Sequence, residues 1–446
     1  LKLCIFAFKL LKMKVVIIGA GFAGIKLARS LNNKAGFDVT LVDKFNYHQF
    51  QPLFYQVATG GLDASNISFP LRKAFHKSKN VRIRLTKVLG VVPAENKITT
   101  EIGDIEYDIL VIATGADTNF FGNKNLIEYA FPMKSTIEAL QLRHRLIENF
   151  ENVVVAKTEE ERQKMMTIVI VGGGPTGVEL GGAIAEMKKD TLPGDYPEVD
   201  FSKMKVYLLE GTGATLGPMS KKSQEQSQKY LEKLGVEVRL NTILKDYDGN
   251  SATLSTGEVI ETNTVIWAAG VKGNVPDGID PELIVRGNRI KVDRFNRVLD
   301  HENIYAVGDV AYMETPKYPK GHPQVANVAI NQAKNIANNL RRMEMKSNTS
   351  TLEEFEYEDK GSMATVGRNL AVVDIPKPKL HFGGFFAWLI WMFLHLVLIL
   401  GVKNRIQVFI NWLYNYATRD QSLRLIFKVF YRAPNAQKEN QYIKSV

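Results

Sequence analysis

From Lys14 onward, short unbroken apolar runs alternate with longer stretches in which apolar positions recur at helical spacing. Runs such as Val15-Val16-Ile17-Ile18, Val39-Thr40-Leu41-Val42 and Thr167-Ile168-Val169-Ile170-Val171 are too short for helices and too apolar for a half-exposed strand. They read as strands buried on both faces, and their alternation with helices is the pattern of α/β folding on a parallel sheet. The pattern also repeats. Asp108 to Gly115 and Thr264 to Gly270 both end an apolar strand in small residues and a glycine, and a Gly-x-Gly-x-x-Gly turn opens each half. The expected architecture is therefore two Rossmann-like dinucleotide-binding domains, beginning near Met13 and Met166. The run Asn303 to Asp309 follows the second unit and is expected to return the chain to the first.

The tail breaks the pattern. Between Met187 and Met204, Pro193, Gly194 and Pro197 predict that a helix ends and an insertion begins, because proline and glycine do not continue a helix. Residues 345–360 are polar and acidic and read as a surface connection. Beyond Pro376 and Pro378, Phe385 to Val402 is eighteen residues without a formal charge, and Ile406 to Phe430 mixes aromatic, aliphatic and basic residues. The expected division is a first unit at 13–125, a second at 126–284, a return segment at 285–345 and C-terminal membrane-docking helices within 346–446.

Composition narrows the function. With 45% hydrophobic and 23% charged residues the chain is neither disordered, collagenous nor a polytopic membrane protein. Its one cysteine, Cys4, excludes an internal disulfide, a Cys-x-x-Cys pair and a cysteine-ligated cluster, so redox chemistry would need a bound organic cofactor. The net charge is +10, and from Ile375 to Val446 ten bases face two acids. These bases flank the most apolar stretch instead of forming a polar stripe, which favours an anionic lipid surface over nucleic acid. Eighteen residues reach the lower limit of a spanning helix, but His395 and the adjoining Trp412, Tyr414, Tyr416 and Phe427 favour monotopic attachment, with one transmembrane segment as the rival. Leu1 to Leu11 lacks a cleavage pattern, and Met13, directly before the first strand, is the expected start.

Two motifs carry the chemistry. In Gly19-Ala20-Gly21-Phe22-Ala23-Gly24, Gly19 permits a tight turn, Gly21 lets backbone approach a pyrophosphate and Gly24 allows close helix packing. Asp43, ending the next strand, stands where an acid accepts from ribose hydroxyls. Gly172-Gly173-Gly174-Pro175-Thr176-Gly177 repeats the device, with Glu210 as its strand-end acid. A carboxylate there repels a 2′-phosphate, favouring NADH over NADPH. Two such sites without a redox disulfide suggest a flavin held by one and a nicotinamide visiting the other. Gly308-Asp309 suits a carboxylate on a sugar-alcohol chain, and a plain turn is the competing reading. His48 and His322 have no partner at metal-ligand spacing, so no metal is expected.

These residues, with Ala113-Thr114-Gly115, the run Phe50 to Ala58, Val178-Glu179-Leu180 and Trp267 to Gly270, resemble the type II NADH:quinone oxidoreductases from Met13 to about Phe430. The resemblance implies non-covalent FAD on Gly19, Gly21, Phe22, Gly24, Asp43, Val88, Thr114, Gly115, Gly308 and Asp309, with Val88 meeting the adenine. It implies NADH on Gly172, Gly174, Gly177, Glu179, Glu210 and Gly270. Glu179, early in its helix, is either a dipole-favoured carboxylate or a catalytic group beside the reacting rings that tunes or relays protons. Family members read Ala-Gln-x-Ala-x-Gln-Gln where this chain has Ala326 to Gln332; Asn327 and Asn331 replace the two leading glutamines and keep the amide one methylene shorter. Quinone contacts are thus expected from Gln324, Ala326, Asn327, Asn331 and Gln332. The expected protein is a non-pumping NADH:quinone oxidoreductase docked on the cytoplasmic face of a bacterial inner membrane through residues 380–432, with a homodimer left open. The rivals are a reductase of a soluble acceptor and a non-catalytic NADH-binding membrane protein.

Overall fold

The computed structural model describes residues 12–345 and 352–427. Five strands pair in parallel in the order Ile304–Ala306, Ile109–Ile112, Met13–Ile18, Phe37–Asp43 and Val81–Leu85. The central strand explains the unbroken apolar runs. Val15 and Ile17 enter the cluster under the helices Phe22–Leu31 and Ala326–Glu344, whereas Val16 and Ile18 enter a cluster on the opposite face. A strand covered on both sides has no polar face to show. The run after the second unit, Ile304–Ala306, pairs with Ile109–Ile112 at the edge of this first sheet.

The second sheet repeats the arrangement, in the order Val236–Arg239, Lys205–Leu209, Thr167–Val171 and Thr264–Trp267, again all parallel. Ile168 and Ile170 pack toward the helices Thr136–Val155 and Pro175–Glu186, and Val169 and Val171 pack the other way. The likeness extends beyond the sequence pattern. Each parallel sheet is covered on its second face by a three-stranded meander, Val88–Val92 to Ile105–Glu106 in the first unit and Leu244–Tyr247 to Val259–Glu261 in the second. Ala116–Thr118 pairs antiparallel with Val271–Gly273, so the outgoing and returning chain form one two-stranded link.

Two expectations about connections are corrected. The second nucleotide helix does not stop at Met187: it runs on through a π turn, Met187–Thr191, into a further turn, Leu192–Asp195. Pro193 falls at the start of that last turn, where its missing N–H leaves no hydrogen bond unmade and the wider π turn makes room for its ring. The polar segment after the helix Ala326–Glu344 is more than a surface connection. Phe355 and Tyr357 are buried in the core beneath the first sheet, and the Phe355 amide donates to the Arg294 carbonyl at 2.7 Å. Residues 1–11, 346–351 and 428–446 lie outside the described residues, and with them the expectations for Leu1 to Leu11 and the bases Lys428, Arg432, Lys438 and Lys444.

The C-terminal part is a three-stranded antiparallel sheet, Ser362–Gly367, Leu370–Ile375 and Leu380–Gly383, followed by helices Phe385–Leu398 and Val402–Thr418. It lies on the second nucleotide helix so closely that a Cβ at Gly182 would stand 1.4 Å from the Val366 carbonyl oxygen. The uncharged eighteen-residue run is not one helix. Its helix has 14 residues, about 21 Å at ~1.5 Å per residue, short of a hydrocarbon core of ~30 Å. Among the described residues no helix is long and apolar enough to cross a membrane. The break is made at Gly401, whose φ of +87° and contact with the Phe69 ring admit no side chain. Three residues later Asn404 donates to the carbonyls of Ser65, Asn66 and Ser68 at 3.0, 3.0 and 3.1 Å, tying the last helix to the first unit.

Candidate active site between two helix starts

Both glycine turns obey one set of steric constraints. A Cβ on Gly24 would stand 1.8 Å from the Gly19 carbonyl oxygen, and on Gly177 1.9 Å from that of Gly172. At Gly19 and Gly172 it would meet the Ala113 and Ala268 carbonyl oxygens at 2.4 and 2.6 Å, with φ of +99° and +110°. Gly21 and Gly174 differ in kind: a Cβ there would meet no protein atom within 4 Å. Each is the N-cap of its helix with no side-chain cap, so the first amides face open space and remain free for an anion.

The strand-end acids are equivalent too. Asp43 accepts from the Ala20 amide at 2.6 Å and the Phe45 amide at 2.7 Å, while Glu210 accepts from Gly173 at 2.6 Å and Thr212 at 2.8 Å. Each carboxylate thus braces the second residue of its own turn and keeps lone pairs for ribose hydroxyls. Burial pushes the Asp43 carboxyl up, opposed by those two amides.

The two helix starts open on a single cavity of 340 Å³. Its wall brings together Gly21 and Phe22 from one start, Pro175, Thr176 and Glu179 from the other, and Gly115, Gly308 and Asp309 from strand ends. Burial raises the Asp309 carboxyl, with Lys134 and Arg289 opposing. Of the remaining expected contacts, Thr114 Oγ1 donates to the Asn274 carbonyl at 2.5 Å, and Val88 is partly buried among Val16, Ile18 and Val42. Gly270 has φ of +101° beside Phe121. Thr114, Val88 and Gly270 lie outside this wall.

The expected quinone residues divide. Gln324 and Ala326 line the cavity. Gln332 is buried and accepts from the Gly308 amide at 2.8 Å, so it shapes the glycine turn. Asn327 is exposed and Asn331 donates to the Asn327 carbonyl at 2.8 Å; neither reaches the wall, because Ala329 and Ala333 turn the helix's inner face to the first unit.

A second cavity, of 130 Å³, shares Tyr55 and Glu179 with the first and continues between the terminal helices past Trp388, Trp391, Met392, Trp412 and Tyr416. Glu179, only 9% exposed, is pushed up to about 8 by burial, against which the Thr365 amide at 3.5 Å and the Trp391 indole hold it down. It is therefore a carboxylic acid at neutral pH, able to give a proton. His395, whose ring stacks on Trp391 at 4.0 Å, is lowered to about 4 by burial and is neutral there. Sequence reasoning missed Tyr55, Thr365 and Trp391 as neighbours of Glu179. The run Phe50 to Ala58 and a histidine inside an apolar run were the available signals. Among the described residues no cluster of His, Cys, Asp or Glu is disposed to hold a metal ion.

Two dinucleotide-cradling turns facing each other across one cavity define a two-domain pyridine-nucleotide oxidoreductase. A family profile described as pyridine nucleotide-disulphide oxidoreductase matches residues 13–333, and one described as NDH2 C-terminal domain matches residues 360–419. The chain is 38% identical to the type II NADH:quinone oxidoreductase Ndh of Mycobacterium tuberculosis, covering 90% of this chain and 87% of that one. It is 27% identical to the type II NADH:quinone oxidoreductase of Staphylococcus aureus over 80% of this chain and 88% of that one. The NDH2 of Plasmodium falciparum, solved in complex with NADH, superposes with a TM-score of 0.85 at 22% identity, over 94% of this chain and all of that one. The chain belongs to the pyridine nucleotide-disulphide oxidoreductases and, within them, to the type II NADH:quinone oxidoreductases. Its single cysteine leaves it without the internal disulfide of the broader family's name.

Proposed function

We propose that this chain is a single-subunit NADH:quinone oxidoreductase whose flavin is FAD, held non-covalently, and which works on the cytoplasmic face of a bacterial inner membrane without pumping protons. The residues fit the cofactor: Gly21 leaves a cradle with no protein atom where a Cβ would stand, uncapped amides begin the helix Phe22–Leu31, and Asp309 is a partly buried acid on the same wall. Bound there, the flavin supplies the two-electron chemistry between nicotinamide and quinone that no side chain of this protein supplies.

The rest falls to the chain. Asp43, Gly115, Gly308 and Asp309 would hold FAD together with that turn. Gly172, Gly174 and Gly177 would seat the NADH pyrophosphate on the second helix start, and Glu210 would accept from a free 2′-hydroxyl while repelling a 2′-phosphate. Glu179 stands on the wall common to both cavities, and its carboxyl would hold the proton that quinone reduction consumes. Gln324 and Ala326 would face the cofactor side of the quinone's path. The terminal helices supply the approach from lipid. Their outer faces expose Phe386, Phe393, Phe409, Ile410 and Leu413, flanked by Lys403 and Arg419, a composition suited to an anionic headgroup region.

The observation that carries this reading is the single cavity opening on both helix starts, with Glu179 where it meets the passage between the terminal helices. The test is the visible spectrum of the purified protein during anaerobic addition of NADH, then of a water-soluble quinone. Bleaching followed by recovery is expected. Bleaching without recovery would redirect the electrons to a soluble acceptor, and a protein without flavin would end the assignment.

A further inference from the structure

Glu179 is enclosed, so a proton it gives up must be replaced along a path. The second nucleotide helix supplies one. Glu186 follows Glu179 by seven residues, two turns of helix, and therefore lies on the same face about 10 Å further along the axis. Asp190 follows by four more, in the π turn that carries the helix past Met187. All three carboxyls line the 130 Å³ cavity.

The surroundings are unusual for acids kept only for structure. Glu186 accepts from the Arg368 amide, while the Arg368 guanidinium, without pairing to Glu186, donates to the Tyr416 carbonyl and covers the Tyr416 ring at 4.1 Å. The opposite wall is Thr365, Gly367 and the indoles of Trp388 and Trp391. The buried Trp391 N–H stands beside Glu179 without completing an ordinary hydrogen bond to it or to any other group, which leaves a donor open to the cavity. Among the described residues neither Glu179, which is buried, nor Glu186, which is partly so, forms an ion pair, and a carboxyl withdrawn from water without a paired charge destabilises a fold. Asp190, at the outer end, meets Arg419 at 3.8 Å where the cavity reaches solvent. Since a water needs only ~10–15 Å³ of such space, the cavity has room for several, enough to bridge carboxyls two turns apart.

We infer that Glu186 is a proton-relay residue, acting through Glu179, in a path that runs from solvent at Asp190 along one face of the second nucleotide helix. The inference rests on the oxidoreductase reading above. The overall reaction, NADH plus quinone plus one proton giving NAD⁺ plus quinol, draws one proton from solvent. As the Glu179 O–H breaks, an O–H forms on the quinone oxygen. Glu179 then takes the proton of Glu186, Glu186 is refilled through Asp190, and Asp190 from water, so each carboxyl ends as it began. The groups facing Glu186 are Asp190 and Lys189 on its own element, Arg368 from the C-terminal sheet, Arg419 beyond the last helix, and Tyr55 from the first unit. Burial, reinforced by Asp190, raises Glu186 to about 7.

The test separates the two half-reactions in the full-length protein by anaerobic stopped flow. In Glu186→Gln, bleaching by NADH keeps the wild-type rate, while reoxidation by a water-soluble quinone slows about tenfold, a small share of the 10²–10⁴ that acid–base groups supply. Its pH profile loses the limb near neutrality, the quinone KM stays put while kcat falls, and Glu186→Asp restores most of the rate. Asp190→Asn, on the exposed end and thus safe for folding, slows reoxidation about threefold, with recovery as a small weak-acid buffer is added. Independently of turnover, infrared titration of the protein alone shows a protonated-carboxyl band that titrates near neutral pH and is missing in Glu186→Gln. Unchanged reoxidation, pH profile and infrared titration in Glu186→Gln, with wild type bleaching normally, would overturn the relay and leave the enzyme reading intact. A wild type that NADH does not bleach would overturn both.

Discussion

Gly21 and Gly24 share one turn yet are glycine for opposite reasons. At Gly24 the missing Cβ makes room for protein, the Gly19 carbonyl 1.8 Å away, whereas at Gly21 a Cβ would meet no protein atom, and the room is that of the proposed flavin. Alanine inside a helix ordinarily gains up to ~1 kcal/mol over glycine, but overpacking against backbone costs about 1–3 kcal/mol or more, and here the clash wins. Gly24→Ala should therefore lower the melting temperature of the flavin-free protein. Gly21→Ala should leave that temperature unchanged and lower the flavin-to-protein ratio. A Gly21→Ala protein with full flavin would remove the cradle. Glu179 gives a pH signature. Its carboxyl titrates at about 8 when folded, above an ordinary 4.5, so the folded state keeps a proton that the unfolded state has lost between those values. Its contribution to stability is complete below pH 4.5 and is lost as pH rises toward 8. Melting temperatures of Glu179→Gln should fall less steeply across that window than those of wild type, and equal slopes would refute the buried acid. These glycines and strand-end acids were legible in the sequence because their constraints are local. Thr365 and Trp391 were not, since each meets Glu179 across roughly two hundred residues of chain.

At the scale of elements, the docking of the C-terminal sheet on the second nucleotide helix decides the shape of the second cavity. The Val366 carbonyl occupies the place of a Cβ at Gly182, so Gly182→Ala must push sheet and helix apart. Loss of about 3 kcal/mol is expected, with faster limited proteolysis after residue 360 and weakened quinone reduction, while bleaching by NADH persists. Wild-type proteolysis would show that the close approach is absent in solution. The helix carrying Gly182 also shows where local rules fail. Pro193 and Gly194 predict a stop, but Pro193 is the second residue of the turn Leu192–Asp195, where proline is tolerated, and the π turn before it realigns the chain. The apolar run from Phe385 failed in the other direction. Hydropathy reads it as one segment, and only the seat of Gly401 against Phe69 shows that it is two helices.

For the whole molecule, the two terminal helices have an inner and an outer face of similar apolarity but different fates. Ala387, Trp391, Val408 and Trp412 are buried against the body, while Phe386 and Phe393 are 74% and 65% exposed. At about 2 kcal/mol for each ring moved into lipid, Phe386→Ser with Phe393→Ser should weaken binding to anionic vesicles roughly a thousandfold. Flotation measures this, and reduction of a water-soluble quinone should continue in the unbound protein. Undiminished flotation would move the docking face elsewhere. The sequence by itself determined the two nucleotide units, their glycine turns and acids, and the single cysteine that hands redox chemistry to a cofactor. Each of these rests on residues close together in the chain, where sterics and hydrogen-bonding capacity act over one turn or one strand. Only the tertiary structure decided that both helix starts face one cavity, that Asn327 and Asn331 point away from it, and that Glu179, Glu186 and Asp190 line a common passage. Burial and juxtaposition are properties of packing between distant segments, and no local pattern encodes which segments meet.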